Sequence, residues 1–208
     1  MKTHQVLFAF CFAAFGLVIL RPAAAATGFD KLPGEQGKTS PLLMRIVQYE
    51  GSTNGAITVE VKNPTGQPQE FSAKGVYFVP TGNPNEAPQR LGAVGPFQLQ
   101  SANGASQRTD HTTIAAGATA RMTLDVYCID SHRASPSSST SFRVAKDRVP
   151  APLVRAIDAD AAKSAEGHGG VSSPAAKGAV QSEVWKNRDK KWIKLDGEGA
   201  QEAAKSRR

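Results

Sequence analysis

The stretch Ala120-Arg121-Met122-Thr123-Leu124-Asp125-Val126-Tyr127-Cys128 decides the fold. Its even positions, Ala120, Met122, Leu124, Val126 and Cys128, make one apolar row, while Arg121, Thr123, Asp125 and Tyr127 share the opposite face. That is the period of two required of a half-buried strand, and it sets Cys128 at the end of the inward row. Working outward, Ile57-Thr58-Val59-Glu60-Val61-Lys62 repeats the alternation with Ile57, Val59 and Val61 inward, and Asn63-Pro64-Thr65-Gly66 then turns the chain. Short apolar or alternating runs at 42–49, 70–79, 97–100 and 142–144 are separated by clusters of Gly, Pro and Asn. The pattern predicts a mainly β protein, an immunoglobulin-like antiparallel β-sandwich over 42–148.

After Pro150 the period lengthens. Leu153, Ile157 and Ala161 recur every four residues with Val154 beside them, which predicts a short amphipathic helix ended by Gly167-His168-Gly169-Gly170. Ser173 is placed as an N-cap and Pro174 as the first residue of a second helix running to about Arg188. These two form a small helical portion, 149–195, expected to pack on the Cys128 strand. Residues 27–41 have no apolar period and read as a flexible leader. Residues 196–208, mostly small and charged, read as a basic disordered tail.

The first 26 residues read as an address. Lys2 precedes an apolar run from Val6 to Leu20, and Ala23 to Ala26 offer small residues for cleavage ahead of Thr27, as in a secretory signal peptide. The expected location is therefore secreted, periplasmic or cell envelope, with no stable transmembrane span once the signal is cut. Cleavage removes Cys11, Lys2 and Arg21 and no acidic residue, which lowers the net charge from +7 to +5. The excess gathers at the end, in Lys186, Arg188, Lys190, Lys191, Lys194, Lys205, Arg207 and Arg208. On an exported chain such a tail meets anionic polysaccharide, lipid headgroups or simply water, and nucleic acid is not the expected partner. With 208 residues, 40% of them hydrophobic, the chain is one domain with appendages, which excludes large multidomain enzymes and fully disordered proteins.

Of the two cysteines only Cys128 stays in the mature chain. An unpaired thiol in an exported protein reads as a disulfide to another chain, a buried inert thiol, a nucleophile, or a cross-link to something other than sulfur. The second predicted helix sharpens the choice, because Val180, Gln181, Val184, Trp185 and Arg188 fall on one stripe. An amide in the middle of a packing face needs a partner, since an unpaired buried one costs about 1–3 kcal/mol. A strand carbonyl would meet that need.

The segment Val126-Tyr127-Cys128-Ile129-Asp130, taken with Val180-Gln181-Ser182-Glu183-Val184-Trp185, resembles the paired Cys-strand and Gln-helix signatures of thioester domains in bacterial surface adhesins. The resemblance covers about 120–190. It implies an internal thioester formed from the Cys128 thiol and the Gln181 side chain with loss of ammonia. The bond would react once with a surface nucleophile, with Tyr127, Val184 and Trp185 packed around it. It also implies a partner that is an extracellular or envelope protein or polysaccharide surface. The alternative from the residues alone is a non-covalent structural or interaction module of the envelope with Cys128 as a buried core thiol.

Other constellations are weaker. Cys128 with His132 or His168 has no third orienting group for a hydrolase. His111, His132 and His168 lack metal-ligand spacing, and no phosphate loop or nucleotide fingerprint occurs. Neither an enzyme nor a metal or cofactor is expected.

Overall fold

The computed structural model describes residues 28–101, 103–170, 173–190 and 192–205. The signal-peptide reading of 1–26 lies outside the described residues. Strands β1 (Asp30–Pro33), β2 (Thr39–Tyr49), β3 (Ala56–Lys62), β4 (Gln69–Ser72), β5 (Tyr77–Pro80) and β6 (Leu91–Ala93) come first. They are followed by β7 (Phe97–Gln100), β8 (Ser106–Thr109), β9 (His111–Ile114), β10 (Thr119–Cys128) and β11 (Phe142–Val144). Helices α1 (Ala151–Glu166), α2 (Pro174–Lys190) and α3 (Ala200–Lys205) complete the chain. The protein is mainly β, its sheets are antiparallel, and a small helical part lies at the C-terminal end.

The strands do not divide into the two sheets of an immunoglobulin sandwich. One sheet runs β1-β2-β3-β10-β6-β5-β11 with β7 and β8 attached through β10, and only β4 and β9 pair apart from it. The reason lies in β10, the strand whose alternation is clearest. Its residues Thr119 to Asp125 pair with β3, and Val126 to Cys128 pair with β6 on the opposite side. One long strand thus joins ladders that a sandwich would keep apart, and the right-handed twist of so many strands curls the sheet. The end strands meet through side chains, not through a ladder. The Asp30 carboxylate of β1 accepts the Val144 N–H of β11 at 3.2 Å, and Arg148 Nε donates to the Pro33 carbonyl at 2.9 Å. The sheet is barrel-like.

Two apolar clusters follow from this curl. The first fills the inside of the sheet, where the inward row Met122, Leu124, Val126 and Cys128 meets Met44, Ile57, Val59, Phe71 and Phe97. The second lies between the outer face of the sheet and the helices, where Tyr127 and Ile129 meet Leu153, Ile157, Ala161, Val180 and Val184. Both helices stand where the periodicity places them, and the Ala176 N–H donates to Ser173 Oγ at 3.1 Å, the N-cap bond expected of α2.

Two segments differ from their sequence reading. The leader 27–41 contains β1, a 3₁₀ turn at Glu35–Gly37 and the start of β2, with Leu32 buried. A single apolar residue suffices there because the β2 edge supplies the hydrogen-bonding partners. The expected disordered tail carries α3, and Glu202 is buried among arginines from distant parts of the chain. Residues 206–208 lie outside the described part.

Candidate functional site

Cys128 is fully buried, and its alternation places its side chain in the cluster inside the sheet. Gln181, on α2 outside the sheet, is also buried. The two meet through the backbone of the cysteine. Gln181 Nε2 donates to the Cys128 carbonyl at 2.7 Å, and the Cys128 N–H donates to Gln181 Oε1 at 2.9 Å. The strand register explains why a side chain is needed at this point. Ile129 N–H bonds Arg90 toward β6, so the neighbouring polar groups of Cys128 point the other way, toward the side of β3. Strand β3 begins only at Ala56, opposite Asp125. Beyond it β10 runs on, with loop carbonyls of Gly55 and Thr53 accepting the N–H groups of Val126 and Cys128 at 3.0 and 3.1 Å. No loop N–H among the described residues serves the Cys128 carbonyl, and the Gln181 carboxamide fills that place as a peptide group would. The need for a strand carbonyl inferred from the helix stripe is met by this one.

The thiol itself sits in an unreactive setting. Burial first, and the nearby Asp130 charge second, push the Cys128 thiol up to about 12. A thiol of that acidity is a poor nucleophile near neutrality, because only the thiolate attacks. The three residues assigned to packing around it are divided between the clusters. Tyr127 and Val184 belong to the helix-side cluster, whereas Trp185 lies partly buried against the inner one and donates from Nε1 to Gln89 Oε1 at 3.0 Å.

Two residues beyond Cys128 lies an ionic cluster that sequence reading missed. Arg90, fully buried, clamps Asp130 with Nε–Oδ2 at 2.7 Å and Nη2–Oδ1 at 2.6 Å, and its own N–H donates to Oδ2 at 3.1 Å. Burial alone raises the Asp130 carboxyl, and the Arg90 bonds and charge more than reverse it, so it is held below the usual carboxylate range. Glu202 of α3 accepts from Arg133 Nε at 2.8 Å, pairs with His132 Nε2 at 2.6 Å, and meets Arg90 Nη2 at 3.3 Å. Its carboxyl is likewise lowered, burial being outweighed by Arg133 and Arg90. Asp130, His132 and Glu202 bring ligand atoms within 4.8 Å of one another. A cation there would have to displace guanidiniums that already hold both carboxylates, so the cluster is a structural knot and not a metal centre. The one signal in sequence was Asp130 directly after the inward row; Arg90 and Glu202 gave none.

A second feature is open to solvent. A groove of about 1360 Å³ lies along the seam between β1 and β11 and reaches the first turn of α1. Leu32, Val144, Val149 and Val154 line it; Lys31, Lys38, Lys74, Lys146 and Arg155 stand around it without an ion pair among the described residues, and the carboxylates Asp30, Glu35, Asp147 and Asp158 line it as well. No aromatic ring lines it among the described residues. No protein-family model matches the chain, and no curated protein matches it.

Proposed function

We propose that this chain is an exported, non-enzymatic binding protein of the cell envelope, whose cationic groove takes an extended acidic segment of a partner protein. The observation that carries the reading is the groove: seven cationic side chains against four carboxylates around an apolar strip, a net positive lining, at the seam where the sheet is closed only by side chains. Apolar contact with charge complementarity at the rim is the anatomy of a recognition surface. An acidic polysaccharide meets the same cations, but the apolar strip and the lack of a ring to stack on a sugar favour a peptide. The reading needs only the mainly β scaffold and does not depend on an immunoglobulin topology.

In this reading Cys128 and Gln181 form a non-covalent clasp that fastens α2 to the end of β10. The thioester reading remains the second one, and a specific observation favours it: among the described residues the carboxamide of Gln181 hydrogen-bonds Cys128 alone. Against it stand the burial of the thiol inside the sheet and the engagement of both polar atoms of the amide with backbone.

The binding claim is tested by retention on immobilised polyglutamate, with a polyuronate as comparison, for the natural chain and for Lys31→Glu combined with Lys146→Glu. Expected are salt-sensitive retention on polyglutamate and its loss in the double variant at unchanged melting temperature. Equal retention of both proteins would remove the groove from the account, and stronger retention on the polyuronate would transfer it to polysaccharide.

A further inference from the structure

Arg188, on the same stripe of α2 as Gln181, is 1% exposed, and its Nε, Nη1 and Nη2 atoms make no hydrogen bond among the described residues. A guanidinium carries five N–H donors in a planar fork, and none of them is used here. The nearest carboxylate oxygen, Asp130 Oδ1, stands 4.0 Å from Nε and is already taken by Arg90. Glu202 is engaged by Arg133, His132 and Arg90. Glu198 acts only from farther away. None of these carboxylates hydrogen-bonds Arg188, although the buried Oε2 of Glu198 also lacks a hydrogen-bond partner among the described residues, and a buried charge without hydrogen bonds is among the most costly features a fold can retain.

We propose that Arg188 is the base of a small-oxyanion site, binding an anion that offers two oxygens to the guanidinium fork. Planar forks pair in this bidentate manner with carboxylates and with phosphate, and lysine does not reproduce it. The cover of the site is Trp192, whose ring lies 4.2 Å over the Arg188 guanidinium and 5.5 Å from the His132 ring. Trp192 itself has neither helical nor strand conformation. Burial pushes the Arg188 guanidinium down despite the attraction of Asp130, which is the state a bound anion would relieve. The site is separate from the seam groove and does not depend on how that groove is used.

The experiment is a titration of the full mature chain with inorganic phosphate and with acetate, against sodium chloride at matched ionic strength. Melting temperature and tryptophan emission are the readouts. Expected is a saturable rise in melting temperature with phosphate or acetate, because a ligand of the native state stabilises by mass action. The emission change is expected to vanish in Trp192→Phe. Arg188→Met is expected to lose the saturable part and keep only the general salting effect of phosphate, and Arg188→Lys to need a higher concentration. A response to one oxyanion alone identifies the source as phosphate-like or carboxylate-like. If neither oxyanion moves melting or emission of the natural chain beyond chloride, the site is refuted, whatever the stability of the variants. A saturable response that persists in Arg188→Lys at the same concentration also refutes it.

Discussion

Replacing Gln181 by leucine separates the hydrogen bonding of the clasp from its packing. The change keeps the volume on the α2 stripe and removes both bonds to Cys128. The Cys128 N–H keeps the Thr53 carbonyl at 3.1 Å, so its loss is small. The Cys128 carbonyl loses the donor at 2.7 Å and is left buried without a partner among the described residues. An orphaned buried carbonyl costs about 1–3 kcal/mol. For a chain of this length that is roughly 2–4 °C of melting temperature per kcal/mol. Gln181→Ala adds a cavity and should lie lower still. Gln181→Glu is more diagnostic, because one of its oxygens would face the Cys128 carbonyl and must carry a proton to bond it. The folded pKa of that glutamate is raised above the unfolded value of about 4.3. The stability of the variant is therefore full below about pH 4 and is lost as pH rises through the folded value. Urea unfolding followed by tryptophan emission across pH reads all three. A Gln181→Leu protein within about 0.5 kcal/mol of the natural chain, together with a pH-independent Gln181→Glu, would refute the clasp.

Three further outcomes follow from the same geometry. Cys128, pushed up to about 12 and enclosed by the sheet, should react with iodoacetamide at pH 8 only as fast as the protein opens; rapid native labelling by mass spectrometry would contradict its burial. Asp130 and Glu202 are both held below the usual carboxylate range, so their contribution is complete above about pH 4.3 and is lost as pH falls through their folded values. Acid unfolding curves should therefore be flatter for Glu202→Gln than for the natural chain. Arg148→Met removes the donors to Pro33 and to the Ser72 carbonyl at 2.9 and 3.0 Å. It should destabilise by about 1–3 kcal/mol and speed amide exchange in β1 before β10, and uniform exchange would show that the seam is not held there.

Much of this architecture is legible in local pattern. The β10 alternation, the cap of α2 at Ser173 and the stripe holding Gln181 are set by residues close in the chain, so periodicity and propensity find them. What escapes is set by contacts far apart in sequence. β10 changes partner after Asp125, a tertiary event that turns an expected sandwich into a barrel-like sheet. Leu32 carries too little signal to announce β1. Glu202 reads as a solvated charge in a polar tail, and Arg188 reads both as part of the basic run and as the end of the α2 stripe; both are buried because Arg90, Asp130 and Arg133 come to meet them from the β domain. For Cys128 the alternation is right about the face, while the meeting with Gln181 takes place at the backbone, which side-chain periodicity does not address.

The central claim, that Cys128 and Gln181 join α2 to β10 without a covalent bond, is tested most directly by the intact mass of the mature protein beside those of Cys128→Ala and Gln181→Ala. The clasp predicts the full mass in all three and, after unfolding, one free thiol in the natural chain and in Gln181→Ala. A natural chain lighter by one ammonia, with the full mass restored in both variants, would contradict it and establish the thioester.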